Sequence, residues 1–187
     1  MAKILPVLVL LGIAAVPRIG WAESASAPEG QSRVQAGKID LGTHHSCVVL
    51  ADGAVNCWGR NNFGMLGRGN TASIGDNETP DSVGTLNLGA GVTATATAVG
   101  SIHSCILTSG GSVKCWGTGT LGRLGYGNTT TIGDNETPDS IGVVNLGVGV
   151  TATAISAGST HTCALLSGGT VKCWGANSYG QLGYGNT

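Results

Sequence analysis

A period of 58 residues organises most of this chain and constrains its fold more than any other feature. Residues 34–91 and 92–149 share 31 of 58 positions without a gap, and a partial third copy covers residues 150–187. Each copy has one His, two Cys and one Trp at matching positions, namely His45, Cys47, Cys57 and Trp58, then His103, Cys105, Cys115 and Trp116, then His161, Cys163, Cys173 and Trp174. Such a repeat implies one supersecondary unit per copy, stacked so that neighbouring units bury each other's apolar faces.

The pattern inside one copy predicts short strands and an all-β fold. Residues 92–98 alternate branched polar with small apolar side chains, as a pleated strand does. Residues 103–107 and 112–116 flank a Ser-Gly-Gly turn, which predicts a β-hairpin. We expect a further strand at residues 141–146, giving about four short strands per copy.

Charge is too scarce for a nucleic-acid partner. The chain has 9 Lys and Arg against 10 Asp and Glu, a formal net charge of -1. A protein that binds phosphate backbones needs a dense positive stripe, which so few basic residues spread over 187 positions do not supply.

The N-terminus has the features of a secretory signal peptide over residues 1–22. A charged start precedes an apolar run at residues 4–16, and small residues before residue 23 supply a cleavage site. The apolar run is shorter than the roughly 20 residues of a spanning helix, so we expect no membrane span. The sequence therefore predicts a secreted, periplasmic or cell-surface protein with a flexible lead-in at residues 23–33 and a repeat domain at residues 34–187.

The third copy carries a recognisable succession of motifs. It has Gly-Ser-Thr-His-Thr-Cys at residues 158–163, Gly-Thr-Val-Lys-Cys-Trp-Gly at residues 169–175, and Asn-Ser-Tyr-Gly-Gln-Leu-Gly at residues 177–183. This succession resembles the repeat of the regulator of chromosome condensation family. The resemblance implies a seven-bladed β-propeller with about 58 residues per blade, of which this chain holds under three. An incomplete propeller exposes strand edges, so we expect either a piece of a longer chain or self-association through the open blade edges.

The six cysteines form three pairs, each ten positions apart across a hairpin turn. A three-residue turn places the two members of each pair opposite each other at disulfide distance, and export supplies an oxidising compartment. We expect disulfides Cys47–Cys57, Cys105–Cys115 and Cys163–Cys173. Two alternatives stay open, namely unpaired buried thiols and a zinc site in which His161 joins the third Cys pair, although the sequence names no fourth ligand.

The repeated His and Trp residues are expected to be structural, the His satisfying backbone groups between strands and the Trp packing between blades. The acidic loops at residues 75–81 and 133–139 could bind calcium, but Asp, Asn and Pro more often satisfy turn backbone. A catalytic site needs one asymmetric constellation, whereas every conspicuous polar residue here recurs with the repeat. We therefore expect no enzyme activity and no cofactor.

The variable Gly-rich connectors after each Trp are the candidate partner-facing loops. Their candidate residues are Asn61, Asn62, Phe63, Thr118, Thr120, Asn177 and Tyr179. These connectors predict a secreted binding scaffold for a protein or glycan partner. A structural repeat that assembles into a surface layer or fibre is the alternative. Nucleotide exchange on a small GTPase, which the family resemblance also implies, fits an exported chain less well.

Overall fold

The computed structural model describes residues 34–187, and these form three antiparallel three-stranded sheets, each of which we call a blade. The predicted signal peptide and lead-in, residues 1–33, lie outside the described residues. Blade 1 contains β1 (Val34–Leu41), β2 (His45–Leu50) and β3 (Val55–Gly59); blade 2 contains β4 (Ala94–Val99), β5 (His103–Thr108) and β6 (Val113–Gly117); blade 3 contains β7 (Ala152–Ala157), β8 (His161–Leu166) and β9 (Val171–Gly175). Short 3₁₀ turns occur at Pro80–Val83 and Thr120–Gly122. Within residues 34–187, no helix has the length and apolar character needed to cross a membrane.

The hairpin of each blade confirms the predicted register. In blade 1 the Leu50 N–H donates to the Ala54 carbonyl at 2.8 Å, and Gly53 adopts a positive φ of 83° that closes the turn. This register sets Cys47 opposite Cys57 with their Cα atoms 4.1 Å apart. The structure contains all three predicted disulfides, Cys47–Cys57, Cys105–Cys115 and Cys163–Cys173.

The disulfides decide between the alternatives for cysteine. No cysteine of the chain is free, so the alternative of unpaired thiols is wrong. The zinc alternative is also wrong, because Cys163 and Cys173 are bonded to each other and offer no thiolate to a metal ion beside His161.

The fourth strand expected at residues 141–146 does not form. This segment makes one backbone hydrogen bond to β6, from the Val144 N–H to the Val113 carbonyl at 2.8 Å. The Tyr126 hydroxyl instead accepts from the Cys115 N–H at 2.9 Å and donates to the Cys115 carbonyl at 3.2 Å. A side chain thus satisfies the backbone groups that a fourth strand would pair with. Tyr184 does the same for Cys173 in blade 3.

The core lies between blades as well as within them. β4 packs against β1 and β2 of the preceding blade, and β7 packs against β4 and β5. Ala94 and Ala98 are buried on the inner strand of blade 2, where their small side chains let successive blades approach closely. Every residue of β5 and β6 is buried, because blade 2 is covered on both sides.

Candidate binding face

A chain of hydrogen bonds ties blade 1 to blade 2. The His45 Nε2 atom lies 2.8 Å from the Ser104 hydroxyl, which donates to the Met65 carbonyl at 2.8 Å. Trp116 Nε1 donates to the same carbonyl at 3.0 Å. Because the single Ser104 proton goes to Met65, His45 must donate from Nε2, which leaves Nδ1 without a proton.

The same arrangement ties blade 2 to blade 3. His103 Nε2 lies 2.9 Å from the Thr162 hydroxyl, which is 3.4 Å from the Arg123 carbonyl. Burial, aided by the charge of Arg123, lowers the pKa of His103 to about 3, and burial lowers the pKa of His45 to about 4. These imidazoles are therefore neutral near pH 7 and hold the blades together. His161 occupies the same position on the outer side of blade 3, where it is half-exposed.

The tryptophans rest on glycines of the preceding blade. A Cβ atom on Gly67 would come within 2.8 Å of Trp116 Nε1, and one on Gly125 within 2.8 Å of Trp174 Nε1. In the first two Gly-x-Leu-Gly motifs, the close approach of an indole ring thus requires a glycine at the second Gly position. Trp116 is fully buried, whereas Trp58, in the first described blade, is half-buried.

Each blade is followed by a Gly-rich connector, residues 60–69, 118–127 and 176–185. Two of the residues predicted to face a partner, Asn61 and Thr118, have buried side chains instead. Asn61 is fully buried, with its Oδ1 accepting from the Leu66 N–H at 2.8 Å and its Nδ2 donating to the Asn70 carbonyl at 2.8 Å. Thr118 is also buried. Neither side chain is therefore free to meet a partner in solvent.

Asn177 repeats the role of Asn61, since its Oδ1 accepts from the Leu182 N–H at 2.9 Å. The second connector lacks this Asn and has Gly119 instead. There the buried Arg123 side chain donates from Nε to the Thr120 carbonyl at 2.8 Å and from Nη2 to the Thr120 hydroxyl at 3.0 Å. The guanidinium therefore holds this connector where an Asn holds the other two.

The three connectors begin at one end of the blades. The Arg60 N–H donates to the His44 carbonyl, the Thr118 N–H to Ile102 and the Ala176 N–H to Thr160, each at 3.0 Å. Each connector therefore starts beside the turn between the first two strands of its own blade, and the hairpin turns lie at the opposite end. We call the connector end the connector face. It includes a groove of about 340 Å³, whose lining residues are Leu41, Gly42, Thr43, Val99, Gly100, Ser101, Ala157, Gly158 and Ser159.

Large apolar side chains are exposed on the connectors at one repeat position. Phe63, Leu121 and Tyr179 follow each other at intervals of 58 residues and are 45%, 59% and 93% exposed. Leu121 also has a positive φ of 62°, a conformation that costs energy for a branched side chain. We call these three residues the apolar row. Asn62 and Thr120, beside the row, are exposed as well.

Sequence reasoning selected Phe63 and Tyr179 but missed Leu121. The signal that could have found it was the repeat register itself, which aligns Leu121 with the two aromatic residues.

The acidic loop at residues 133–139 packs on the first connector. The Gly69 N–H donates to the Gly133 carbonyl at 3.1 Å, and Lys114 Nζ holds the far end of the loop through the Pro138 carbonyl at 2.7 Å. In the part of the chain that the structure describes, no three His, Cys, Asp or Glu side chains cluster as ligands of a metal ion would. Through its contact with Gly69, the loop contributes to the packing of blade 2 on blade 1.

The sequence matches two models of the regulator of chromosome condensation (RCC1) repeat. One matches residues 52–107 and 110–165, and the other matches residues 38–64, 94–123 and 152–181. The chain belongs to the RCC1 repeat family. Its three-stranded blades, the Gly-x-x-His turns and the Gly-x-Leu-Gly connectors are thus the RCC1 repeat as this chain builds it.

Two curated relatives are much longer than this RCC1-repeat chain. It is 34% identical over 150 residues to the ultraviolet-B receptor UVR8 of Arabidopsis thaliana, and the match covers 80% of the chain and 31% of the receptor. It is 32% identical over 151 residues to the probable E3 ubiquitin-protein ligase HERC6 of Homo sapiens, covering 80% of the chain and 14% of the ligase. The chain therefore spans less than a third of either relative.

Solved structures show the same RCC1 fold. Prp20p of Saccharomyces cerevisiae superposes with a TM-score of 0.62 at 23% identity, over 82% of this chain and 36% of Prp20p. Human WBSCR16 superposes with a TM-score of 0.61 at 26% identity, over 86% of this chain and 39% of the human protein. The described blades are thus an incomplete set of RCC1 propeller blades.

Proposed function

We propose that this chain is part of an exported binding scaffold that holds a protein partner on its connector face. The observation that carries this function is the apolar row, which places Phe63, Leu121 and Tyr179 in solvent at equivalent points of three blades. Apolar side chains repeated on a rigid face, with variable identity from blade to blade, are suited to an extended protein surface. Polar neighbours such as Asn62 and Thr120 supply a rim for hydrogen bonds.

The rest of the molecule supports a scaffold rather than a catalyst. The buried histidines are neutral and hydrogen-bonded between blades, so they hold blades together and do not meet a substrate. The three disulfides brace one hairpin each and favour an extracellular or otherwise oxidising compartment. Prp20p, a solved structure with the same fold, binds Gsp1p and histones, which is consistent with a protein-binding role.

The experiment selects peptides from a displayed library on the oxidised chain and measures their affinity for variants. We expect selected peptides to lose about tenfold or more in affinity for the triple variant Phe63→Ser, Leu121→Asn, Tyr179→Ser, because each lost apolar contact contributes roughly 1–2 kcal/mol. Asn at position 121 tolerates the positive φ.

The matched control is Val148→Ser, which removes an exposed apolar side chain from the segment between blades 2 and 3. This control should leave affinity unchanged. Equal affinity for the triple variant would contradict the proposal, and so would a chain that selects no peptide but binds an immobilised glycan array.

A further inference from the structure

The two outer sides of the described unit are halves of an interface that the chain already forms twice. In each internal interface, a His of one blade meets a hydroxyl of the next blade, as in His45 with Ser104 and His103 with Thr162. On its outer side, blade 3 carries His161 at the position of the His member of this pair. Blade 1 carries Ser46 at the position of the hydroxyl member. Each outer side therefore holds one member of the pair.

The tryptophan contact is divided in the same way. Inside the chain, Trp116 donates to the Met65 carbonyl and lies on Gly67. Blade 1 offers the equivalent Trp58, which is half-buried. The third connector offers Gln181 and Gly183 at the positions of Met65 and Gly67, and no atom of residues 34–187 lies within 4 Å of a Cβ atom placed on Gly183.

The acidic loops make the strongest case, because residues 74–82 and 132–140 have the same sequence. The second loop is seated on the first connector, where the Gly69 N–H donates to the Gly133 carbonyl and the Gly64 backbone touches Gly133. The first loop is largely exposed, with open space around Gly75. It thus has the same sequence as a docked loop but no docking site among residues 34–187.

A seat of the right shape lies on the third connector. Gly180, Gly183 and Gly185 have φ values of 72°, 75° and 76°, against 69°, 68° and 68° for Gly64, Gly67 and Gly69. Among the described residues, no atom would contact a Cβ placed on Gly180, Gly183 or Gly185. The connector therefore already has the backbone conformation that accepts an acidic loop.

Apolar exposure on the outer sides points the same way. Leu165 and Val171 of blade 3 are 42% and 60% exposed, while their equivalents Leu107 and Val113 in blade 2 are buried. On blade 1, Leu41 is exposed while its equivalent Val99 is buried. Covering these side chains removes apolar surface from water at both ends of the unit.

We propose that the outer side of blade 3 binds the outer side of blade 1 of a second copy of this chain, with the loop at residues 75–81 of one copy seated on the third connector of the other. Such a contact is heterologous, so it leads to a closed ring or a growing filament. The contact does not use Phe63 or Leu121 of the apolar row, so it can be tested separately from the partner-binding function proposed above.

The test measures the mass of the oxidised chain in solution by light scattering over a wide range of concentration. We expect masses that rise to multiples of the single-chain mass. Gly75→Asn should reduce association by tenfold or more, because the new side chain meets no atom in the single chain but collides with the backbone of the third connector in the assembly.

The matched control is Gly91→Asn, since Gly91 has a positive φ of 71°, equally open surroundings and a place outside the docking loop at residues 75–81. This variant should associate as the unaltered chain does. A chain that stays monomeric at every concentration overturns the proposal, as does an equal loss of association in Gly75→Asn and Gly91→Asn.

The double variant Phe63→Ser, Leu121→Asn separates this proposal from the proposed function, because neither residue lies in the third connector or in the loop at residues 75–81. It should associate normally while losing affinity for the selected peptides. If that variant becomes monomeric, the row rather than the blade ends joins the copies, and the head-to-tail contact is wrong.

Discussion

Residues 74–82 and 132–140 are identical in sequence but differ in their surroundings. Pro138 of the second loop is fully buried, and Lys114 Nζ binds the carbonyls of Pro138 and Ile141. Pro80 of the first loop is half-exposed, with one hydrogen bond from the Asn56 side chain to its carbonyl. The difference arises because blade 1 lies beneath the second loop, whereas no described blade lies beneath the first. In this repeat, the presence of a neighbouring blade therefore determines whether a given residue is buried.

Replacing Trp116 or Trp58 should give the largest difference in stability between a covered and a less covered blade. Trp116→Ala should lower the free energy of unfolding by about 3–5 kcal/mol, because a fully buried indole leaves a cavity between two blades. Trp58→Ala should cost roughly half as much, since Trp58 is only partly buried. Urea unfolding of the oxidised proteins measures both. Equal losses would show that burial by the neighbouring blade does not set the contribution of this residue.

Removing one disulfide at a time separates the contribution of chain entropy to stability from that of side-chain packing. Each bond closes a loop of the same length, with a sequence separation of 10, so the entropic contribution is the same in every blade at roughly 2–3 kcal/mol. We expect the double substitution Cys105→Ala, Cys115→Ala to cost more than Cys163→Ala, Cys173→Ala, because the first pair is fully buried and the second is half-exposed. Thermal unfolding of the two double variants decides the matter, and identical melting curves would assign the whole effect to entropy.

The repeat explains which features were predictable. The hairpin and the disulfides followed from a turn of fixed length and cysteines at fixed spacing, both of which are local. The missing fourth strand could not be predicted from residues 141–146 themselves, because the hydroxyl of Tyr126, which lies outside that segment, takes the backbone groups of Cys115 on the strand edge.

The connector residues were predictable only in part. Asn61 has the polar character of an exposed loop residue, yet its amide satisfies the backbone of its own connector. Leu121 stood next to a predicted residue, and only its alignment with Phe63 and Tyr179 shows its place in the row. Polarity alone does not tell a residue that holds a loop from one that meets a partner.

Acid should loosen the blade interfaces. The pKa values of His45 and His103 are lowered to about 4 and about 3 in the folded chain by burial, from 6.5. The unfolded chain therefore takes up protons below about pH 6.5 while the folded chain does not, and stability falls as the pH falls. Each histidine contributes a slope of about 1.4 kcal/mol per pH unit, down to its folded pKa.

Urea unfolding between pH 7 and pH 5 measures this slope. The double variant His45→Gln, His103→Gln should be less stable at pH 7 but should show a flatter dependence on pH. A slope that is unchanged in the double variant would mean that other groups carry the acid sensitivity.

Replacing Lys114 or Lys172 gives the smallest and most local test of how the second acidic loop is held. Lys114 Nζ donates to two carbonyls of the docked loop segment, whereas Lys172 Nζ donates to the exposed Asn145 carbonyl at 2.9 Å. Lys114→Met should cost about 1–2 kcal/mol, because it leaves buried carbonyls without a donor, and Lys172→Met should cost under about 0.5 kcal/mol. Hydrogen exchange of the amides at residues 133–140 should rise only in Lys114→Met. Faster exchange there in both variants would mean that the loop is held by general stability of the sheet, and that docking on blade 1 does not depend on this lysine.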